Sequence, residues 1–370
     1  MKKVWYLLAA SVIVTSSCKK EEEDDDDKSP SLKVPSEYVS PDYANNVVTE
    51  ELVLSELGDL SGDAGDAESE LYSNPSYTIS SIAYPSTLSS VTVTSYKTKV
   101  NGWLLELVKA VNDNDGFQNP GSGNSPAIGE EGGLLGKRLL DETGLEIEQM
   151  LDKGHYGAAC YNHAVSVING DLSSSSSIDK LVAIFGTTPD FVADDAAKAS
   201  KYAKRRSNND NGTGFFYDIK TNLITAKAAI DGGSSFNKKR DNALNDFLLN
   251  WEKSNFATVI NYCYGAKTAI TDASSLIGTA KDEKLGDAMH AYSEAVGFTH
   301  GFLDASVKQI SNAEINEILT LLLAPSSGTT ESFRFLNEAA LLSNLTSVED
   351  KIQEIYGFTD SEVASFYENQ

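Results

Sequence analysis

The chain has 370 residues, 41% of them hydrophobic, with 30 Lys and Arg against 54 Asp and Glu and a net charge of -24. That length and apolar content support a sizeable buried core, and the acidic surplus excludes nucleic acid as a partner because it repels phosphate. Three Cys exclude a disulfide-stapled scaffold.

Residues 1–17 read as a secretory signal. Lys2 and Lys3 give the positive start, residues 4–14 the apolar run, and Thr15, Ser16 and Ser17 the small residues before Cys18. The apolar run is shorter than the roughly 20 residues that span a bilayer. The run resembles a bacterial lipobox in relaxed form, with Thr15 where Leu is usual and Cys18 as the lipidated residue. Residues 18–45 then read as a tether. The block 19–28 carries seven acids and three Lys, repels itself and cannot pack. Acids directly after a lipidated Cys also resemble the export signal of Bacteroidetes surface lipoproteins. The expected address is the outer membrane, facing the exterior, held by the lipid alone. The two Lys of the signal and the four surplus acids of the tether leave -22 on residues 29–370. The acidity therefore belongs to the folded part.

Residues 46–370 are expected to form a helical domain. A short helix fits 46–57, residues 58–95 read as loop, and β-branched residues 91–94 as a local strand. From Tyr96, the spacing of Val100, Leu104, Leu107 and Val111 predicts a helix. Residues 112–133 are breaker-rich loop. Helices are predicted near 134–141, 144–169, 178–185, 189–206, 214–231, 238–270, 283–308, 312–323, 331–342, 347–356 and 359–368. The fold class is all-α, built from long-helix bundles.

Four stretches carry a family resemblance. They are the Gly144-Leu145-Glu146 run on through Gly154, Gly157 and Tyr161, the Ile178-Asp179-Lys180 helix, the Asn250-Trp251-Glu252-Lys253 run, and His290-Ala291-Tyr292-Ser293-Glu294 on to Phe298. In that order they resemble the imelysin-related helical lipoproteins of Bacteroidetes, over roughly residues 77–310. The resemblance implies an imelysin-like two-bundle arrangement, here divided near 232, and a role in iron or haem uptake or alginate binding beside an outer-membrane receptor. It implies no settled activity. Lys180 stands where relatives carry a second acid, and Ala295 where Gly is usual.

His290 and Glu294 lie one turn apart on a helix, with Asp287 and Glu283 on the same stripe. Imidazole with two carboxylates suits a divalent metal such as Fe, Zn or Mn. His290, Glu294 and Asp287 are therefore the candidate metal ligands, beside two other readings, a solvated acidic face and a structural hydrogen bond. A divalent metal or haem is the cofactor this points to. His155, His163 and His300 do not share a zinc spacing, and no His-Glu-x-x-His is present. Cys160 and Cys263 read as buried free thiols. With no Gly-x-Ser-x-Gly, phosphate loop or dinucleotide fingerprint, no catalytic residue is assigned. The expected function is ligand binding in nutrient acquisition. The alternatives are a glycan-binding surface lipoprotein and a metal-dependent hydrolase.

Overall fold

The computed structural model describes residues 31–112, 132–192 and 198–370. Cys18, the signal and the acidic block lie outside them. The described chain is mostly helical, as the periodicity predicts. Its elements in chain order begin with α1 (Tyr43–Asn46), α2 (Val48–Ser73), α3 (Ser86–Val91) and α4 (Thr94–Asn112). A two-stranded antiparallel hairpin follows, β1 (Gly133–Leu135) and β2 (Arg138–Leu140). Then come α5 (Ile147–His155), a π-helical turn Tyr156–Tyr161, α6 (Asn162–Ile168), α7 (Ser176–Phe185) and α8 (Ala199–Arg205). The last part holds α9 (Phe215–Asp231), α10 (Asn237–Ala273), α11 (Thr279–Gly301), α12 (Asn312–Leu321), α13 (Leu342–Tyr356) and α14 (Asp360–Phe366).

The 37-residue α10 is the axis. At about 1.5 Å rise per residue it runs about 55 Å. Helices α9, α11 and α13 pack along it, and α5 packs on the far side of α11. Glycine permits that last contact. A Cβ on Gly301 would meet the Gly154 carbonyl oxygen at 2.2 Å, and one on Gly297 would meet the Gln149 oxygen at 2.7 Å. Gly297 and Gly301 of α11 thus let two backbones meet, and Gly157 of the first resemblance run does so too, since a Cβ there would lie 2.6 Å from the Gly301 carbonyl carbon. One apolar core runs from Val53 of α2 to Phe366 of α14. Gly232 and Gly233 do separate α9 from α10, but the two helices pack directly on each other and share that core.

Several expected elements differ. The short helix expected at 46–57 runs on to Ser73, so residues 58–73 are helix rather than loop. Leu57, Leu60, Ala64, Ala67 and Leu71 recur at helical spacing and are buried. Gly58, Gly62 and Gly65 lie where a Cβ would meet nothing within 4 Å, so they weaken the helix without interrupting its packing stripe. The expected strand at 91–94 is the junction of α3 and α4. The expected helix at 134–141 is the hairpin, turned at Gly136 with φ +61. Residues 331–342 are two 3₁₀ turns and the start of α13.

The tether ends earlier than residue 45. Tyr38 is buried, and its ring lies edge-on to Phe191 at 5.9 Å. Buried Asp179 of α7 accepts hydrogen bonds from Tyr38 Oη, Ser40 Oγ and Asn46 Nδ2. A carboxylate taken out of water needs such donors. They fasten the entering segment to α7, and that is the part the Asp of the second run plays.

Candidate functional site

The residues singled out from sequence fall into an ionic cluster between α2, the hairpin, α5 and α11. Glu146, just before α5, is 1% exposed. Its backbone N–H donates to Ser293 Oγ at 2.9 Å. His290 Nδ1 lies 2.8 Å from one Glu146 oxygen and 3.0 Å from the other. On its other side, His290 Nε2 is 3.7 Å from Glu294. Glu294 also meets Lys153 Nζ at 3.4 Å, and Lys153 pairs with Asp152. Arg138 of β2 bridges three acids, Glu68 at 3.6 Å, Glu146 at 3.7 Å and Asp287 at 3.6 Å. Glu68 accepts the Leu139 N–H at 2.7 Å.

The structure therefore brings His290 and Glu294 together and adds Glu146 and Glu68. Asp287 is mostly exposed and is drawn to Arg138, and Glu283 is exposed. Burial dominates the protonation of this cluster. It pushes the Glu146 carboxyl up to about 8 against the lowering effect of Arg138. It pushes Glu68 up to about 7, aided by Glu146. It lowers His290, against the raising effect of Glu294. At neutral pH the pair is then a carboxylic acid donating to a neutral imidazole. Burial also works to lower Lys153, but Asp152, Tyr202 and Glu294 overcome it and hold the ammonium charged.

A resident metal does not fit this arrangement. Its positive charge is already supplied by Arg138 and Lys153. Nδ1 of His290 is taken by Glu146, and the expected third ligand, Asp287, turns away to Arg138. Among the described residues no three His, Cys, Asp or Glu side chains converge to hold a metal ion. The cluster joins four elements by charge and shared protons.

The remaining histidines are also engaged in the fold. His155 is fully buried, with Nε2 2.9 Å from Tyr84 Oη and Nδ1 against the Leu151 carbonyl. Burial lowers its pKa to about 4. His300, buried edge-on to Trp103 at 5.8 Å, is lowered by burial to about 3. His163 pairs with Glu50 at 2.8 Å. Cys160 and Cys263 are buried free thiols, and burial pushes Cys160 up to about 12.

A second feature was not legible from sequence. An open cleft of 770 Å³ lies where the end of α6, the loop 169–173, the end of α9 and the start of α10 meet. Its apolar lining is aliphatic, from Ile168, Leu172, Ile230 and Leu244. Its polar lining includes Asn169, Asp171, Asn237, Arg240, Asp241 and Asn245. None of the four histidines lines it, and no aromatic does. Its one mark in the sequence is the division near 232, where α9 gives way to α10.

Among the described residues no helix is long and apolar enough to cross a membrane. Comparison with known protein families, with curated proteins and with solved structures finds no match to this chain.

Proposed function

We propose that this protein is a lipid-anchored lipoprotein of the outer membrane that binds a small ligand, without turning it over, in nutrient acquisition. The anchor is Cys18, the folded part faces the exterior, and an outer-membrane receptor is the partner that takes the ligand on. The lipobox-like run and the acidic block support the address. The ordered resemblance runs support an imelysin-like arrangement of the helices.

One observation carries the binding reading, the cleft at the α6, α9 and α10 ends. Its 770 Å³ falls within the roughly 300–1,000 Å³ of small-ligand sites. The iron or haem role that the resemblance implies would draw on His290 and Glu294. The hydrogen bond from Glu146 that holds His290 and the ion pair with Lys153 that holds Glu294 favour the cleft instead. A metal-dependent hydrolase would need an open coordination position, and the same pairs weigh against one.

The test compares the full chain with Ser234→Trp, which fills the cleft from an exposed turn, and with His290→Ala. Haemin is followed by absorbance, Fe and Zn by elemental analysis, and a mixture of short sugars and peptides by mass spectrometry of retained solutes. The expected result is a retained solute that His290→Ala keeps and Ser234→Trp loses. Stoichiometric iron or haem that survives Ser234→Trp and is lost in His290→Ala would overturn the reading.

A further inference from the structure

We infer that Asn211 is a site of spontaneous covalent modification, where the Gly212 amide closes a succinimide on the Asn211 side chain and the ring opens to aspartate and isoaspartate.

Asn-Gly occurs three times in the chain, at Asn101, Asn169 and Asn211. Asn is a thermolabile side chain, and a following glycine has no Cβ to hinder the approach of its own nitrogen to the Asn Cγ. The fold decides which pair reacts, because the nitrogen must first leave any hydrogen bond it makes. Two of the three pairs are held. Asn101 and Gly102 lie inside α4, where the Gly102 N–H belongs to the helical ladder. Asn169 closes α6 in helical conformation, with φ -78 and ψ -7, and the Gly170 N–H donates to the Val167 carbonyl at 3.1 Å.

Asn211 stands in the exposed turn between α8 and α9. Asn208 and Thr213 close that turn by exchanging N–H···O bonds of 2.9 and 3.1 Å. The Asn211 N–H donates to Asn208 Oδ1 at 3.1 Å, which engages its backbone and leaves its carboxamide unused. Neither that carboxamide nor the Gly212 N–H makes a hydrogen bond to the described residues. Gly212 has φ +64, and a Cβ there would meet only the Tyr217 ring, at 3.8 Å. Water reaches both reacting groups.

The step balances with water as the one co-reactant. The Gly212 nitrogen bonds to Asn211 Cγ, the Cγ–Nδ2 bond breaks, and the amide proton leaves with Nδ2 as ammonia. Water then opens the imide. Cleavage at Cγ gives aspartate. Cleavage at the main-chain carbonyl gives isoaspartate, whose backbone runs through the former side chain and gains one carbon. Either product adds a negative charge to the turn. The extra carbon of isoaspartate falls inside the loop that Asn208 and Thr213 close, and loosens that pair.

The experiment incubates the full chain at physiological temperature and follows its peptides by mass spectrometry, with isoaspartate read by enzymatic methylation. A parallel sample in urea removes the protection of the fold from all three pairs. In the folded chain, Asn211 is expected to lose its amide at least about tenfold faster than Asn101 or Asn169, each of which must first free a bonded N–H. In urea the three rates should come together. Isoaspartate should appear at position 211, and Asn211→Gln should suppress it, because the longer side chain closes a larger and slower ring. If Asn101 or Asn169 reacts as fast as Asn211 in the folded chain, or if Asn211 keeps its amide there while the unfolded chain loses it, the site is overturned. Amide loss at Asn211 without isoaspartate overturns the succinimide route.

Discussion

Replacing Glu252 by Ala is expected to destabilise the fold by about 3–5 kcal/mol. Glu252, in the middle of α10, is 1% exposed. One oxygen accepts the Gln309 N–H at 2.8 Å. The other accepts the Ile310 N–H and the Tyr356 hydroxyl, each at 2.8 Å. One carboxylate thus fastens the loop before α12 and the end of α13 to the central helix. Truncation leaves two backbone donors and a phenol buried without partners. Glu252→Gln separates charge from geometry. Its oxygen can keep one pair of contacts, but its NH₂ then faces a backbone N–H, so a loss of about 1–3 kcal/mol is expected. Urea denaturation of both variants checks this. An Ala variant within 1 kcal/mol of the parent would mean that the loop is held by packing alone.

Raising the pH from 6.5 to 8 is expected to cost the fold about 2–3 kcal/mol. Glu146 and Glu68 titrate near 8 and 7 in the folded chain, against 4.5 for an unperturbed Glu. Between those values the folded chain holds protons that the unfolded chain has released. Each such proton makes stability fall by about 1.4 kcal/mol per pH unit as pH rises. Stability from these groups is complete below pH 4.5 and gone above 8. His155 and His300 act in the other direction. Their folded values near 4 and 3 lie below the 6.5 of a free imidazole. Their contribution is complete above 6.5 and is lost as pH falls through 4 and 3. The two effects oppose each other between 4.5 and 6.5, so maximal stability is expected there. Glu68→Gln with Glu146→Gln should flatten the alkaline slope and leave the acid slope unchanged. Denaturation curves from pH 5.5 to 8 test it. Stability that rises or stays level across 6.5 to 8 would contradict this account of the cluster.

Where one face of a helix is apolar at regular spacing, its course was legible. Val100, Leu104, Leu107 and Val111 are all buried on α4, and the boundaries of α9 and α10 lie within a few residues of the breakers that mark them. The continuation of α2 past residue 57 was hidden because composition and periodicity disagree there. Its Gly, Ser and Asp residues signal loop, while Leu57, Leu60, Ala64, Ala67 and Leu71 signal a buried face, and packing decides. The hairpin was hidden because three-residue strands carry too little pattern to tell two residues per repeat from 3.6. In the site, His290 and Glu294 were readable as neighbours because one helical turn joins them. Glu146 and Arg138 reach them only through tertiary packing. The same holds for Glu252, whose run was noticed but whose partners lie more than fifty residues away. The cleft belongs to helix ends, and where ends meet is set by the whole fold.

Hydrogen exchange on the full chain, with and without a mixture of short sugars and peptides, tests the central claim most directly. Bound ligand should slow exchange in residues 168–173 and 230–245 and leave 138–155 and 283–294 unchanged. Slowed exchange at 138–155 and 283–294, produced by iron or haemin and absent around the cleft, would contradict it and return the ligand site to His290.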